Sequence, residues 1–502
     1  MPPNLISKLL QKCTSATIDE QENLQKTRQM VEHQIPLEII KQPVHNSELK
    51  VFMKSSSYSN DELTKLFDLL TKKNSLSFSK IPGRNLFMAA VQDDATAYTG
   101  YENVWVRDNI HIAHAHYVQG DVETTALNVK EIGSFWLKYD NRWIDCIKVL
   151  NRYTDPHLAE DVMRRPHIRF NGTELTENTQ HWSHAQNDAI GYWLWLSSKL
   201  CREGHLDYDI LSKVAVFIAL YFKKIDFCND KDNGHWEEAR KVEASSVGAA
   251  TAGLRELELL LNENEKFQEI FEKNFNNFCK EHNLHEDFKV GKELVSNLKE
   301  EGLKKMNSIL PFESRDAGAE READGALLFL IYPLQIITGE MAQIVVDNVV
   351  RDLLGEHGIR RYKGDSYWMA DYKAVFSEEN RTGNFSEDIG QRNKHLKFGQ
   401  EAQWCMFDAI VSCHYSLKLQ DLQKRGASEA ELLACKDSQI NYFNRALGQI
   451  TGEDCSFGPW HCPESYYIEN GRVGKYVVND ITPLLWSQAN LISAFLLIKK
   501  IL

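Results

Sequence analysis

Residues Gly234–Gly248 read GHWEEARKVEASSVG, and this stretch organises the rest of the chain. Two adjacent carboxyl groups, Glu237 and Glu238, follow the indole of Trp236. A turn-forming run (Asn229, Asp230, Asp232, Asn233, Gly234) precedes them, and an Ala/Ser-rich, helix-compatible segment follows. The spacing predicts that the pair sits where a loop enters a helix. The free amides and dipole of a first turn favour acidic side chains there.

Similar polar clusters recur along the chain. Trp105, Arg107 and Asp108 precede an apolar helical run. So do Trp182, Gln186 and Asp188, and so does Trp404. Loops at 358–368 and 460–467 add Arg361 and Glu464. Between them lie long segments with apolar residues at helical spacing and almost no period-2 alternation. The expected class is all-α. If alternate helices form a ring, their like ends converge on one mouth, and scattered loop-to-helix junctions become a single pocket.

Helices are expected at Ile18–His33, Asn60–Lys72, Asn109 through Tyr139 with a break at Gly120, His181–Leu200, Tyr208–Lys224, Glu320–Leu334, Glu340–Leu354, Gly399–Leu419, Glu429–Ile450 and Thr482–Leu502. The Lys/Glu/Asn-rich stretch 263–308 reads as solvated helices, and 375–395 as a polar loop. Residues 1–59 are expected to be a polar, helical extension, and 60–502 the main domain.

Composition narrows the function. The 502 residues are 43% apolar and 26% charged, as in an ordinary globular protein. A formal net charge of −13 argues against a nucleic-acid or anionic-membrane surface and suits a neutral ligand such as a sugar. Eleven Trp and eighteen Tyr provide flat amphipathic surface that can stack on sugar rings. Ten scattered Cys form no C-x-x-C pair, and Cys455, His461 and Cys462 lack a second ligand pair, so neither metal nor cofactor is expected. No secretory signal or membrane span is read. Localisation is expected to be cytoplasmic, or reached by a route without a cleavable signal peptide.

Glycosidic bond cleavage needs two carboxyl groups, one to protonate the leaving oxygen and one ionised. In the inverting mode the second activates a water and stands roughly 6.5–9.5 Å from the first. Glu237, with an aromatic wall and the like charge of Glu238 beside it, is the candidate acid. Glu464, after Pro463, is the candidate base. Arg107 and Asp108 suit hydrogen bonds to sugar hydroxyls.

At these residues the chain resembles glycoside hydrolase family 15, the glucoamylases, and is similar to the glucoamylase-like domain of phosphorylase kinase regulatory subunits. The matching pieces occur in family order: Trp105-Val-Arg107-Asp108, Trp182-x3-Gln186-x-Asp188, Trp236-Glu237-Glu238, Arg361-Tyr362 with Asp365 and Tyr367, Gln403-Trp404, Pro463-Glu464 and Pro483-Leu-Leu-Trp486. The resemblance implies an (α/α)6 barrel. It implies Glu237 as general acid and Glu464 as base. Trp105, Arg107, Asp108, Trp182, Gln186, Asp188, Trp236, Glu238, Arg361 and Trp404 are the implied sugar-binding set. The implied activity is inverting, exo-acting hydrolysis of glycogen, starch or maltooligosaccharides, releasing β-D-glucose without a cofactor. The kinase-subunit branch implies an alternative, a non-hydrolytic glucan-binding or regulatory protein on the same barrel.

Overall fold

The computed structural model describes residues 43–91, 96–149, 161–284, 290–316, 321–469, 471 and 474–502. The chain divides into two units, 1–41 and 42–502, and all described residues lie in the second. The expected helix at 18–33 falls outside them.

Twelve helices among the described residues alternate between two layers. In chain order they are α1 (Asn60–Lys72), α2 (Val106–Val118), α3 (Val122–Lys138), α4 (Asn187–Arg202), α5 (Asp209–Ile225), α6 (Ala244–Glu263), α7 (Gly291–Ile309), α8 (Leu328–Ile331), α9 (Gly339–Leu353), α10 (Phe407–Lys424), α11 (Glu429–Gly448) and α12 (Leu485–Ile501). The even-numbered helices pack α2 on α4, α4 on α6, α6 on α8, α8 on α10, α10 on α12, and α12 back on α2, which closes a ring. The odd-numbered helices form the outer layer. The all-α barrel expected from the sequence is the observed architecture.

Sequence explains the layering. Outer helices are amphipathic. In α1, Ser59 and Glu62 form a capping box, and Leu63, Leu66 and Leu70 face inward. Inner helices are buried on nearly all sides: only Lys199 and Arg202 of α4 escape full burial. Glycines allow α4 and α6 to touch through their backbones. A Cβ at Gly191 would lie 2.5 Å from the backbone of Ala249, and one at Gly253 would lie 2.6 Å from the Gly191 carbonyl. An additional helix, Glu265–Glu281, is solvated on one face only. Phe267, Phe271, Phe275 and Phe278 make its buried stripe, which the expectation of simply solvated helices did not include.

Residues 43–59 belong to the same compact unit. Leu49 and Tyr58 are buried in its core, and Asn46 donates to the Thr451 carbonyl at 3.0 Å.

Connections at the two ends of the barrel differ. Those leading from an inner to the next outer helix are mostly brief, such as 119–121 and 425–428. Those leading from an outer to an inner helix are long and carry the polar clusters. Two small antiparallel sheets stiffen them: β1 (Val104–Trp105), β2 (Arg169–Asn171) and β3 (Thr176–Glu177), then β4 (Gln403–Trp404), β5 (Ser465–Ile468) and β6 (Tyr476–Val478). Trp105 pairs with Arg169, and Trp404 with Ser465.

Four expectations change. The helix read at 181–200 starts only at Asn187. The helix read at 399–419 starts only at Phe407, because the Trp404 backbone exchanges hydrogen bonds with Ile359 at 2.8 and 3.1 Å. The segment read as a helix at 320–334 contains a 3-10 turn at Gly325–Leu327 and one α-helical turn, α8, ahead of Pro333. Glu237 and Glu238 lie in a turn, and α6 begins later, at Ala244. The helix-entry argument therefore does not place the pair. Glu237 has φ +57°, in the left-handed region. No helix among the described residues is long and apolar enough to cross a membrane.

Candidate active site

The long connections meet over the inner ring and enclose one cavity. Glu237 and Glu464 both line it, with Trp105, Arg107, Asp108, Trp182, Trp236, Glu238, Arg361 and Trp404. Ten of the twelve residues singled out from the sequence thus share one wall system. The other two, Gln186 and Asp188, stand behind it and hold Arg107. Arg107 Nη1 donates to Asp188 at 2.7 Å and to Gln186 at 3.0 Å.

Glu237 is surrounded by donors. Arg107 Nη2 donates to its Oε1 at 3.1 Å, and the indole N–H groups of Trp182 and Trp105 donate to Oε2 at 2.9 and 3.4 Å. The backbone here is left-handed, and the carboxyl groups of Glu237 and Glu238 reach separate sets of donors.

Glu238 occupies a different environment. It accepts from Arg361 Nη2 at 2.8 Å and also from Arg392 and the hydroxyl of Tyr362. Burial acts to raise its pKa, but the charges of Arg361, Arg392 and Arg321 outweigh it and hold the carboxyl group well below the usual carboxylate range. Arg361 is itself fixed by Asp365 at 2.6 and 2.7 Å. Its guanidinium lies 4.9 Å from the Trp404 ring centroid and 5.1 Å from that of Trp236.

Glu464 is 2% exposed. Its Oε2 accepts from the Asn479 amide, and its Oε1 accepts from the Tyr101 hydroxyl at 3.4 Å. Burial, only partly offset by the Asn479 hydrogen bond, pushes its pKa up to about 8. Burial thus disfavours the ionised form of Glu464 in the free protein. Asp108 is buried as well. Burial pushes it up to about 7 against the opposing charge of Arg107. Among the described residues, no other side chain donates to its carboxyl group, which lines the cavity. A buried polar group in that position is equipped to receive a ligand hydroxyl.

Several site residues escaped the sequence reading. Arg392 comes from the polar loop at 375–395, which had been given no role. Tyr101 links both walls: its ring packs 5.0 Å from that of Trp105, and its hydroxyl reaches Glu464 and, at 3.3 Å, Tyr367. Arg169 lies 4.0 Å from the Trp182 ring centroid and 4.7 Å from that of Trp105, above the two indoles that serve Glu237. Tyr101 stands four residues before Trp105, a signal the sequence did contain. Arg169, Asn479 and Arg392 have none. Among the described residues, no group of His, Cys, Asp and Glu has the geometry to hold a metal ion.

No protein-family profile matches the chain. One curated protein, the uncharacterized lipoprotein YgeQ of Escherichia coli (strain K12), is 27% identical over 202 residues, covering 37% of this chain and 75% of that protein. Solved structures similar to the chain include a wild-type glycosidase (TM-score 0.56, 14% identity, 87% of this chain and 98% of that one). The glucoamylase from Saccharomycopsis fibuligera is similar too (TM-score 0.53, 11% identity, 90% and 99%). So is a bacterial glucoamylase complexed with acarbose (TM-score 0.52, 14% identity, 88% and 58%). At these identities the likeness is one of fold. The chain has a glucoamylase-like all-α barrel, the architecture it shares with these glycosidases.

Proposed function

We propose that the protein is a glycoside hydrolase, an inverting exo-acting glucan 1,4-α-glucosidase that removes glucose from nonreducing ends. The observation that carries this reading is the meeting of Glu237 and Glu464, far apart in sequence, in one aromatic-walled cavity that the carboxyl group of Asp108 also lines. The fold shared with glycosidases and the family resemblance of the motifs support it.

In this reading Glu237 donates a proton to the glycosidic oxygen as the C1–O bond breaks. Glu464 takes a proton from the water that attacks C1 from the opposite face, and β-glucose leaves. Trp182, Trp404, Trp105 and Trp236 pack on the sugar, and Arg107 and Asp108 receive its hydroxyls. Gln186 and Asp188 hold Arg107 in position. Arg361 and Glu238 form a braced edge of the pocket. Burial raises the pKa of Glu464 in the free protein, so this reading requires the group to be ionised when the attacking water is bound.

The test is incubation with maltotriose and with glycogen, with time-resolved NMR detection of free glucose and its anomer. β-Glucose as the first product supports the proposal, and α-glucose would exclude the inverting mechanism. Sugar binding without cleavage would favour the non-hydrolytic reading of the same barrel.

A further inference from the structure

The segment between Tyr372 and His395 borders the cavity, and the half-exposure of its residues 382–385 puts them at the opening. Residues 382–385 line the cavity together with Trp182. Polar ties pin the segment at several points, three of them beside the cavity. Arg381 lies 3.7 Å from Asp480, the residue after the Asn479 that holds Glu464. Ser183, next to Trp182, donates its hydroxyl to Asn384 Oδ1 at 3.0 Å. Arg392 reaches inward to buried Glu238, and its Nε donates to the Ser366 hydroxyl at 2.9 Å. The strap therefore runs from the Glu464 side to the Trp182 wall.

The cavity that remains measures about 100 Å³. A water needs about 10–15 Å³ of such space, so roughly seven to ten fit. That is the room of one hexose ring rather than of a chain. An exo-acting site takes the terminal sugar inside, and the units behind it must leave through the mouth, where Asn384 and Phe385 stand.

We infer that the strap at 382–385 restricts this site to short α-glucosides of two or three sugar units and turns away the crowded chain ends of a branched polymer. This deepens the glucosidase reading and rests on it for the identity of the sugar. Residues Asn384 and Phe385 act as specificity determinants through the space they occupy. Ser183 positions Asn384 from the opposite wall.

The test uses the full chain and the fluorescence of the tryptophans lining the cavity. Maltose, maltotriose, maltoheptaose and glycogen are titrated, with concentrations counted as nonreducing ends. Maltose or maltotriose is expected to bind at least tenfold more tightly per end than glycogen. The double variant Asn384→Gly/Phe385→Gly should reduce that ratio to within threefold. Ser183→Ala, which keeps both strap side chains, should reduce it partway and serves if the double variant does not fold. Equal affinity per end for glycogen and maltotriose in the wild type overturns the inference, even if glucose is released. So does an unchanged ratio in both variants. Length-selective binding without release of glucose leaves the inference standing and removes the hydrolytic reading.

Discussion

The guanidinium of Arg107 donates to the Glu237 carboxyl group across 3.1 Å, and the same side chain holds Asp188 at 2.7 Å. Arg107 thus joins the buried support behind the pocket to the carboxyl group proposed as proton donor. Replacing Glu237 by Gln keeps the shape and the acceptor oxygen and removes the acidic proton. The variant should bind maltotriose with affinity within threefold of wild type and lose about 10²–10⁴ in kcat. Retention of a tenth of wild-type turnover would move the acid elsewhere.

Trp182 tests the other side of the same carboxyl group. Its indole N–H donates to Glu237 at 2.9 Å, and its ring forms the pocket wall. Trp182→Phe keeps an aromatic wall and deletes the donor. A hydrogen bond to a charged group is worth about 1.5–3 kcal/mol, so kcat should fall roughly 10- to 100-fold with little change in melting temperature. A large thermal destabilisation with unchanged kcat would make Trp182 a packing residue only.

The pH profile separates the two possible roles of Glu464. A base must be ionised, and burial pushes the pKa of this group up to about 8 in the free protein. With Glu464 as base, kcat/KM for maltose should rise with pH through about 8 and level off above it. A profile that instead falls through that region would assign Glu464 the acid role and give Glu237 the other.

Stability should carry the same signature with its own sign. The ordinary value for Glu464 is 4.5, and burial raises it to about 8 in the folded state. The folded protein therefore holds a proton that the unfolded chain releases between those values. The associated stabilisation is full below about pH 4.5 and is lost as pH rises to about 8. Glu464→Gln does not titrate. Its stability relative to wild type should increase by about 3 kcal/mol between pH 4.5 and 7 in urea unfolding. A constant difference across that range would contradict the proposed burial of the proton.

Local chemistry was legible in the sequence and long-range chemistry was not. Asn60 and Ser59 are both fitting caps for α1 on sequence, and the structure places the cap at Ser59, where Glu62 completes a capping box. Apolar periodicity identified most of the long helices, and the repeated Trp-rich clusters anticipated a common pocket. Gln403 and Trp404 read as helix because nothing nearby reveals that Ile359 will pair with Trp404. Arg392 lies in a stretch that reads only as a polar loop, and its partner Glu238 lies far upstream. Asn479 was invisible for the same reason: it matters through Glu464, which only the folded chain brings to it.

The left-handed backbone at Glu237 has a further consequence. A residue with a Cβ pays about 1–2 kcal/mol there relative to glycine, which adopts this conformation freely. Glu237→Gly should accordingly relieve backbone strain while emptying the centre of the Arg107, Trp105 and Trp182 cluster. Eight other non-glycine residues among those described share this positive φ; at Glu237 the hydrogen bonds accepted from Arg107 and Trp182 offset the strain, so the carboxyl group and the turn that carries it hold each other in place.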